Sequence, residues 1–277
     1  MSFVEDALKF HAEHNGMLAV ASKVPLNNRE DLALAYTPGV AEPCKAIKEN
    51  KELSFEYTCR GNTVAIVSDG TRVLGLGDIG PEAAMPVMEG KAVLFKTFGD
   101  VDAIPICIDT KDPEEIIETV RRLQPTFAGI NLEDFSSPKC YEIEDRLREI
   151  CDIPVFHDDQ HGTAIACLSA VMGALRYVKK DIKDVKVVVN GCGAAGSAIG
   201  RLFVSMGFPN VIMVERVGAL YKGIDAKLDK IQRYLSEVTN PNMEKGHAGR
   251  SCQRRGYSCR RIRPEPVYQR NYRRHGG

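Results

Sequence analysis

The sequence predicts an α/β protein: an N-terminal domain with a parallel sheet flanked by helices, followed by an incomplete Rossmann dinucleotide-binding domain. Three observations carry this expectation. From Thr63 to Val178, short apolar runs alternate with longer amphipathic stretches, the pattern of repeated βα units and of a parallel sheet covered on both faces. Two of the runs end in adjacent carboxylates, Glu133-Asp134 and, after Phe156-His157, Asp158-Asp159, at strand-to-helix junctions of the kind where α/β proteins keep their chemistry. A further run, Val185 to Asn190, opens onto Gly191-Cys192-Gly193-Ala194-Ala195-Gly196 and then a helical pattern.

Each element has its own local reason. Val4 to His14 reads as a helix stopped by Gly16, and Pro38-Gly39 makes a turn that opens onto a helix through Glu42 and Lys45. Thr63 to Ser68 is a strand closed by Asp69-Gly70-Thr71-Arg72, and Pro81 to Phe98 is a helix carrying Lys91. The strands Ala103 to Ile108, Phe127 to Leu132 and Ile153 to Phe156 follow. Two helices between them start with a capping residue and a proline at the first position, Asp112-Pro113 and Ser137-Pro138. In the first of these, Ile116, Ile117, Val120 and Leu123 share one face. A long helical pattern runs from Ala164 to Val178.

In the later part, Val185 to Asn190, the glycine turn, a helix through Ile199, Leu202, Phe203 and Met206, and the strand Val211 to Val214 closed by Glu215 make the full dinucleotide fingerprint. Gly191, Gly193 and Gly196 would admit a pyrophosphate to the helix N-terminus, and Glu215 would hold the adenosine ribose hydroxyls. An acid there favours NAD over NADP, and Arg216 beside it moderates the preference. The turn Gly75 to Gly80 is also glycine-rich but lacks the spacing.

Length and composition fit this plan. A chain of 277 residues makes one large or two ordinary domains, and 44% hydrophobic residues supply ample core. The formal charge of zero conceals an asymmetry. Residues 247–277 hold nine Arg and one acid, Glu265, whereas the rest carries 28 basic against 36 acidic residues, a net of −8. The start of the chain lacks an apolar leader and no run is long enough to span a bilayer, which leads to the expectation of a soluble, cytoplasmic protein without a membrane partner. Nine cysteines without a CxxC pair, several of them inside apolar runs such as Cys107 and Cys167, are expected to be reduced core thiols.

The two carboxylate pairs admit two readings. Each is an ordinary turn and helix cap, or neighbouring parallel strands bring both pairs to one rim and offer the all-oxygen ligand set suited to Mg²⁺ or Mn²⁺. Lys91 lies between Gly90 and the apolar run Ala92-Val93-Leu94-Phe95, so its ammonium is expected to be half-buried and able to lose its proton near neutral pH.

The chain from about Leu32 to Asn242 resembles malic enzyme of the short prokaryotic type, the oxidative decarboxylase of malate. The resemblance rests on Ala35-Tyr36-Thr37-Pro38-Gly39-Val40, on Ser68 to Asp78, on Glu89-Gly90-Lys91, on Asn131-Leu132-Glu133-Asp134-Phe135 and on Phe156 to Ala164, in that order. It implies that Glu133, Asp134 and Asp159 bind the divalent metal and that Lys91 is the general base. It further implies that Tyr36 protonates the enol, Arg72 holds a malate carboxylate, Asp158 tunes Lys91 or orients a ligand, and Thr163 lies with the cofactor. The expected function is oxidation of malate to pyruvate and CO₂ with reduction of NAD, or NADP, by a homodimer.

The departures define the alternative. Only the first two strands of one half of a dinucleotide domain are recognisable, and the domains are expected at 1–160 (substrate and metal), 161–246 (partial NAD-binding) and 247–277. The last stretch, with no Leu, no Lys and no periodicity, is expected to be disordered or out of frame. Its Arg residues interleaved with Tyr257, Tyr268 and Tyr272 resemble a nucleic-acid arm, but no nucleic-acid partner is expected. The competing expectation is therefore a truncated, catalytically impaired fragment that binds metal without oxidising malate. Another nicotinamide-dependent dehydrogenase, such as one acting on amino acids, would leave the paired carboxylates unexplained.

Overall fold

A computed structural model describes residues 2–246, so the Arg-rich stretch 247–277 and the expectations attached to it lie outside the described residues. Two units are distinguished within them. One comprises the chain to Val73, Asp78–Phe135 and Ile143–Phe156; the other comprises Leu74–Gly77, Ser136–Glu142 and the chain from His157.

The first unit opens with α1 (Phe3–His14), α2 (Arg29–Ala35), α3 (Ala41–Glu49) and α4 (Ser54–Tyr57). Ser2 starts α1 with a reciprocal cap: its hydroxyl accepts from the Glu5 N–H, and the Glu5 carboxylate accepts from the Ser2 N–H. Asn15 ends it in the left-handed conformation, with Gly16 following. None of the first three helices has a buried residue.

Then the alternation begins: β1 (Thr63–Ser68), α5 (Pro81–Gly99), β2 (Asp102–Cys107), α6 (Pro113–Leu123), β3 (Gly129–Leu132), α7 (Lys139–Ile150) and β4 (Val155–His157). The strands form one sheet in the order β2-β1-β3-β4. β1 runs parallel to both neighbours, with Thr63 opposite Asp102 and Val64 opposite Gly129. Its residues are buried almost throughout, as a central parallel strand requires. Ile66, Met88, Ala92 and Ala103 make the core between β1, α5 and β2. On α6, Asp112 accepts from the N–H groups of Glu114 and Glu115, Pro113 takes the first position, and Ile116, Ile117 and Val120 are buried as their spacing predicts. On α7 the expected cap is displaced: the helix begins at Lys139, after Pro138, and Cys140 donates to the Ser136 carbonyl.

The second unit contains α8 (Asp158–Val178), β5 (Val187–Asn190), α9 (Ala194–Ser205), β6 (Val211–Glu215), β7 (Gly218–Ala219) and α10 (Lys230–Val238). Its sheet has the order β5-β6-β7, parallel in the first pair and antiparallel in the second. One face packs Val189, Phe203, Val211, Met213, Leu220 and Leu235 into a core against the helices, and Val188, Ile212, Val214 and Ala219 cluster separately. Two details depart from the sequence reading. The helix expected from Ala164 starts six residues earlier, at Asp158, because the polar stretch 158–163 is itself helical and its two acids favour a helix N-terminus. The sheet expected to stop at two strands gains β7, which is too short to leave an apolar pattern.

None of the seven described cysteines forms a disulfide, as expected, but only Cys140 and Cys192 are buried; Cys107 and Cys167 are half-buried, and Cys44 and Cys59 are exposed. No helix among the described residues is long and apolar enough to cross a membrane.

Candidate active site

The turn after β1 is held by its own side chains. Ser68 Oγ accepts from the Gly70 N–H at 3.1 Å, and Asp69 Oδ1 accepts from both the N–H and the hydroxyl of Thr71, at 3.0 and 2.7 Å. Gly70 has φ +67°, and a Cβ there would sit 2.1 Å from the Gly80 carbonyl oxygen, so only glycine fits. The turn is buried up to Thr71 and presents Arg72 to solvent. Arg72 is fastened through its backbone, its N–H donating to the Asp134 carbonyl at 2.9 Å.

Glu133 continues the ladder of β3, its N–H donating to the Val67 carbonyl at 2.9 Å, and Asp134 then turns into the left-handed region at φ +58°, which Asp tolerates better than most residues. These two acids are 5% and 6% exposed. Ionised groups so deeply buried need compensation. Glu133 finds part of it in Lys91 of α5, whose Nζ lies 3.1 Å from Oε1, and part in the Asn131 amide, which donates to Oε2 at 2.8 Å. The Lys91 side chain is 20% exposed, so the half-burial expected from its apolar neighbours holds, but its ionic partner was not legible in them.

In the second unit the other acidic pair occupies the first turn of α8. Arg201, a donor only, bonds Gln160 Oε1 at 2.9 Å, which turns Gln160 Nε2 toward His157 Nδ1 at 2.8 Å. Nδ1 is thereby placed to accept from the amide, and the other ring nitrogen, Nε2, lies 3.3 Å from Asp159 Oδ2. The buried His157 thus lies beside Asp159, a contact that the sequence did not reveal for His157, nor the bonds of Gln160 and Arg201 behind it. Asp158 packs beside Gly162, where an added Cβ would meet its Oδ1 at 2.0 Å; Thr163 is exposed one residue on.

Between β5 and α9, Gly191 has φ +110° and donates to the Val214 carbonyl at 2.8 Å. A Cβ on Gly196 would sit 1.9 Å from the Gly191 carbonyl oxygen, whereas one on Gly193 would meet nothing within 4 Å. The third glycine is therefore there for packing and the second for open space in front of the α9 N-terminus, the division of roles of a pyrophosphate-binding turn. Glu215 ends β6, and its carboxylate accepts from the N–H groups of Cys192 (3.3 Å) and Arg216 (2.6 Å). Burial, reinforced by the negative charges of Glu215 and Asp229, pushes the Cys192 thiol up to about 12.

The structure thus gathers Lys91, Glu133, Asp134 and the backbone of Arg72 in the first unit. It sets Asp158, Asp159 and Thr163 on the first turns of α8, and Gly191, Gly193, Gly196 and Glu215 about the β5–α9 turn. Tyr36 follows α2 and is 68% exposed.

A parallel sheet with acids at its strand ends, followed by a glycine turn of dinucleotide type, defines a Rossmann-like α/β protein. Residues 15–148 match the family model of the malic enzyme N-terminal domain. The crystal structure of an NAD-dependent malic enzyme from Thermotoga maritima superposes with a TM-score of 0.83 at 46% identity, covering 89% of this chain and 68% of that one. The chain belongs to the malic enzyme family. It is 54% identical to the NAD-dependent malic enzyme of Geobacillus stearothermophilus over 83% of its length, and 50% identical to the bifunctional malic/malolactic enzyme of Bacillus subtilis over 89%. It spans 48% and 60% of those two relatives respectively.

Proposed function

We propose that this chain takes part in the oxidative decarboxylation of malate to pyruvate and CO₂, with NAD as hydride acceptor and a divalent cation as cofactor. The observation that carries the reading is Lys91 set 3.1 Å from a buried carboxylate that is followed directly by a second one. Glu133, Asp134 and Asp159 would hold Mg²⁺ or Mn²⁺. Their donor set fits such an ion: all are carboxylates, and two sit so far from water that a cation would relieve their mutual repulsion. β3 and β4 are sheet neighbours, and these acids follow one and two residues after the two strands.

When bound, the cation would supply Lewis acidity at the C2 oxygen of malate. Lys91 would take the proton of the C2 hydroxyl, and Tyr36 would give one to C3 after CO₂ has left. Arg72 would hold a substrate carboxylate, its position supported by the buried turn beneath it. Asp158 would orient a neighbouring group, and Thr163 would lie with the cofactor. NAD would sit with its pyrophosphate at Gly191, Gly193 and Gly196 and accept the hydride. The Glu215 carboxylate would repel a 2′-phosphate, which favours NAD over NADP.

We assign the metal and substrate part to residues 1–160 and the dinucleotide part to 161–246. A homodimer would cover the apolar side chains left exposed on the amino-terminal arm, among them Leu8, Val20 and Leu34 at 70, 100 and 72%. Cysteines without disulfides suit the reducing cytoplasm.

A second reading, metal binding without malate oxidation, is favoured by the sheet of the second unit, which leaves β5 at an edge with no further strand beside it among the described residues. One experiment separates the two: malate-dependent NADH formation with and without Mn²⁺, with NADP in parallel, and Mn²⁺ calorimetry on the same samples. Metal-dependent turnover that Lys91→Met abolishes supports the first reading; Mn²⁺ binding without turnover supports the second. In either, Asp159→Ala should weaken Mn²⁺ at least about tenfold, and unchanged affinity would sink the ligand assignment.

A further inference from the structure

β3 carries an amide that none of the proposed chemistry uses. Asn131 precedes Glu133 by two residues, and on an extended strand that spacing puts both side chains on one face. Asn131 Nδ2 donates to Glu133 Oε2 at 2.8 Å, and Lys91 Nζ lies 3.1 Å from Oε1, so each carboxylate oxygen has its own donor. The orientation of the amide follows from the carboxylate, which only accepts, so the NH₂ end must face it. The other end is left over. Asn131 is 2% exposed, and its Oδ1 has no hydrogen-bond partner among the described residues. A buried orphan acceptor costs free energy that an apolar side chain of similar volume, such as the flanking Ile130 and Leu132, would not incur. Asn131 therefore makes sense through what its donor end does to Glu133.

We propose that Asn131 is a positioning residue for the metal centre. Its amide fixes the Glu133 carboxylate so that one oxygen stays committed to the strand while the carboxylate as a whole is presented to a divalent cation in one orientation. Asn131 does not itself touch the cation. This rests on the reading of Glu133 as a ligand, and the two failures are distinguishable by experiment. Groups that orient metal ligands typically set affinity by ten- to a hundredfold.

The test is Mn²⁺ affinity of the full chain, followed by calorimetry and by the electron paramagnetic resonance of free Mn²⁺. Asn131→Leu, which keeps the volume and removes the donor, should weaken Mn²⁺ about tenfold or more. Asn131→Gln, which keeps an amide, should stay within about threefold of the parent. Glu133→Gln should lose Mn²⁺ binding altogether. If Glu133→Gln binds Mn²⁺ like the parent, the ligand reading is wrong and Asn131 loses its role with it. If Glu133→Gln loses Mn²⁺ while folded Asn131→Leu retains parental affinity, the metal reading stands and the proposal for Asn131 is overturned; lowered thermal stability alone would be a structural role. Should Asn131→Leu not fold, the parent chain decides: the Asn131 side-chain amide resonances should move on saturation with Mg²⁺, and resonances that stay in place overturn the proposal.

Discussion

The molecule holds its acids to its bases in two very different settings, and the contrast shows what burial does to the same chemistry. On α6, Glu118 accepts from Arg121 and Arg122 at the surface, and those guanidiniums hold its carboxyl down at about 2. At the end of β3, Glu133 meets Lys91 with 6% of one side chain and 20% of the other exposed. The surface cluster has water and salt as competitors, so its pairing is strong in geometry and weak in consequence. The interior pair has far less water and salt to replace a lost partner, so removing either member leaves a charge in a medium that solvates it poorly. Between them stands Lys186, 2.9 Å from both oxygens of Glu244, with side chains 19% and 31% exposed.

The sharpest way to test this gradient is to delete the cation at each place. Lys91→Met should cost about 3 kcal/mol in urea unfolding, because it leaves the buried Glu133 without its ammonium partner at 3.1 Å. Added Mn²⁺ should restore part of that loss. A cost below about 1 kcal/mol would mean that water reaches the pair and that the interior setting is not as dry as its exposure indicates. Lys186→Met should cost less, about 1 kcal/mol, and be more sensitive to salt than the Lys91 variant. The smallest effect belongs to the surface. A carboxyl whose folded value is depressed contributes stability above its ordinary value of 4.5, and that contribution is lost as the pH falls toward about 2. Because Glu118 lies at the surface within reach of solvent ions, high salt should move its titration midpoint back up, and Glu118→Gln should leave the thermal midpoint unchanged within error. A midpoint that ignores salt would make the surface behave like the interior.

The residues that were legible in the sequence and those that were not divide along the same line. β1 is marked residue by residue by its apolar run, and Asp112-Pro113 announces the start of α6, because both signals are local. Gly191, Gly193 and Gly196 are equally local, since a turn dictates its own backbone. The start of α8 was hidden because Asp158 to His161 look like a loop by polarity, while position at a helix N-terminus makes the acids favourable. Partnerships across the chain left no trace at all. Nothing near residue 91 points to Glu133, and nothing near residue 160 points to Arg201, because such pairs are made by the packing of α5 on the sheet and of α9 on α8. The partner of Asn131 is hidden in the sequence for a related reason. An amide within an apolar run reads as a tolerated polar residue until the strand shows which neighbour shares its face.

The sheet order also bears on how the chain comes off the ribosome. β1 is made first yet ends in the middle, between β2 and β3, so neither of its edges can close until the segments after it have been synthesised. Paired residues lie about 40 positions apart between β1 and β2 and about 65 apart between β1 and β3, a span that costs loop-closure entropy before any pairing repays it. Until Leu132 has emerged, Thr63 to Ser68 is an apolar strand with at least one open edge, and that is the interval in which a nascent chain most needs a chaperone's cover.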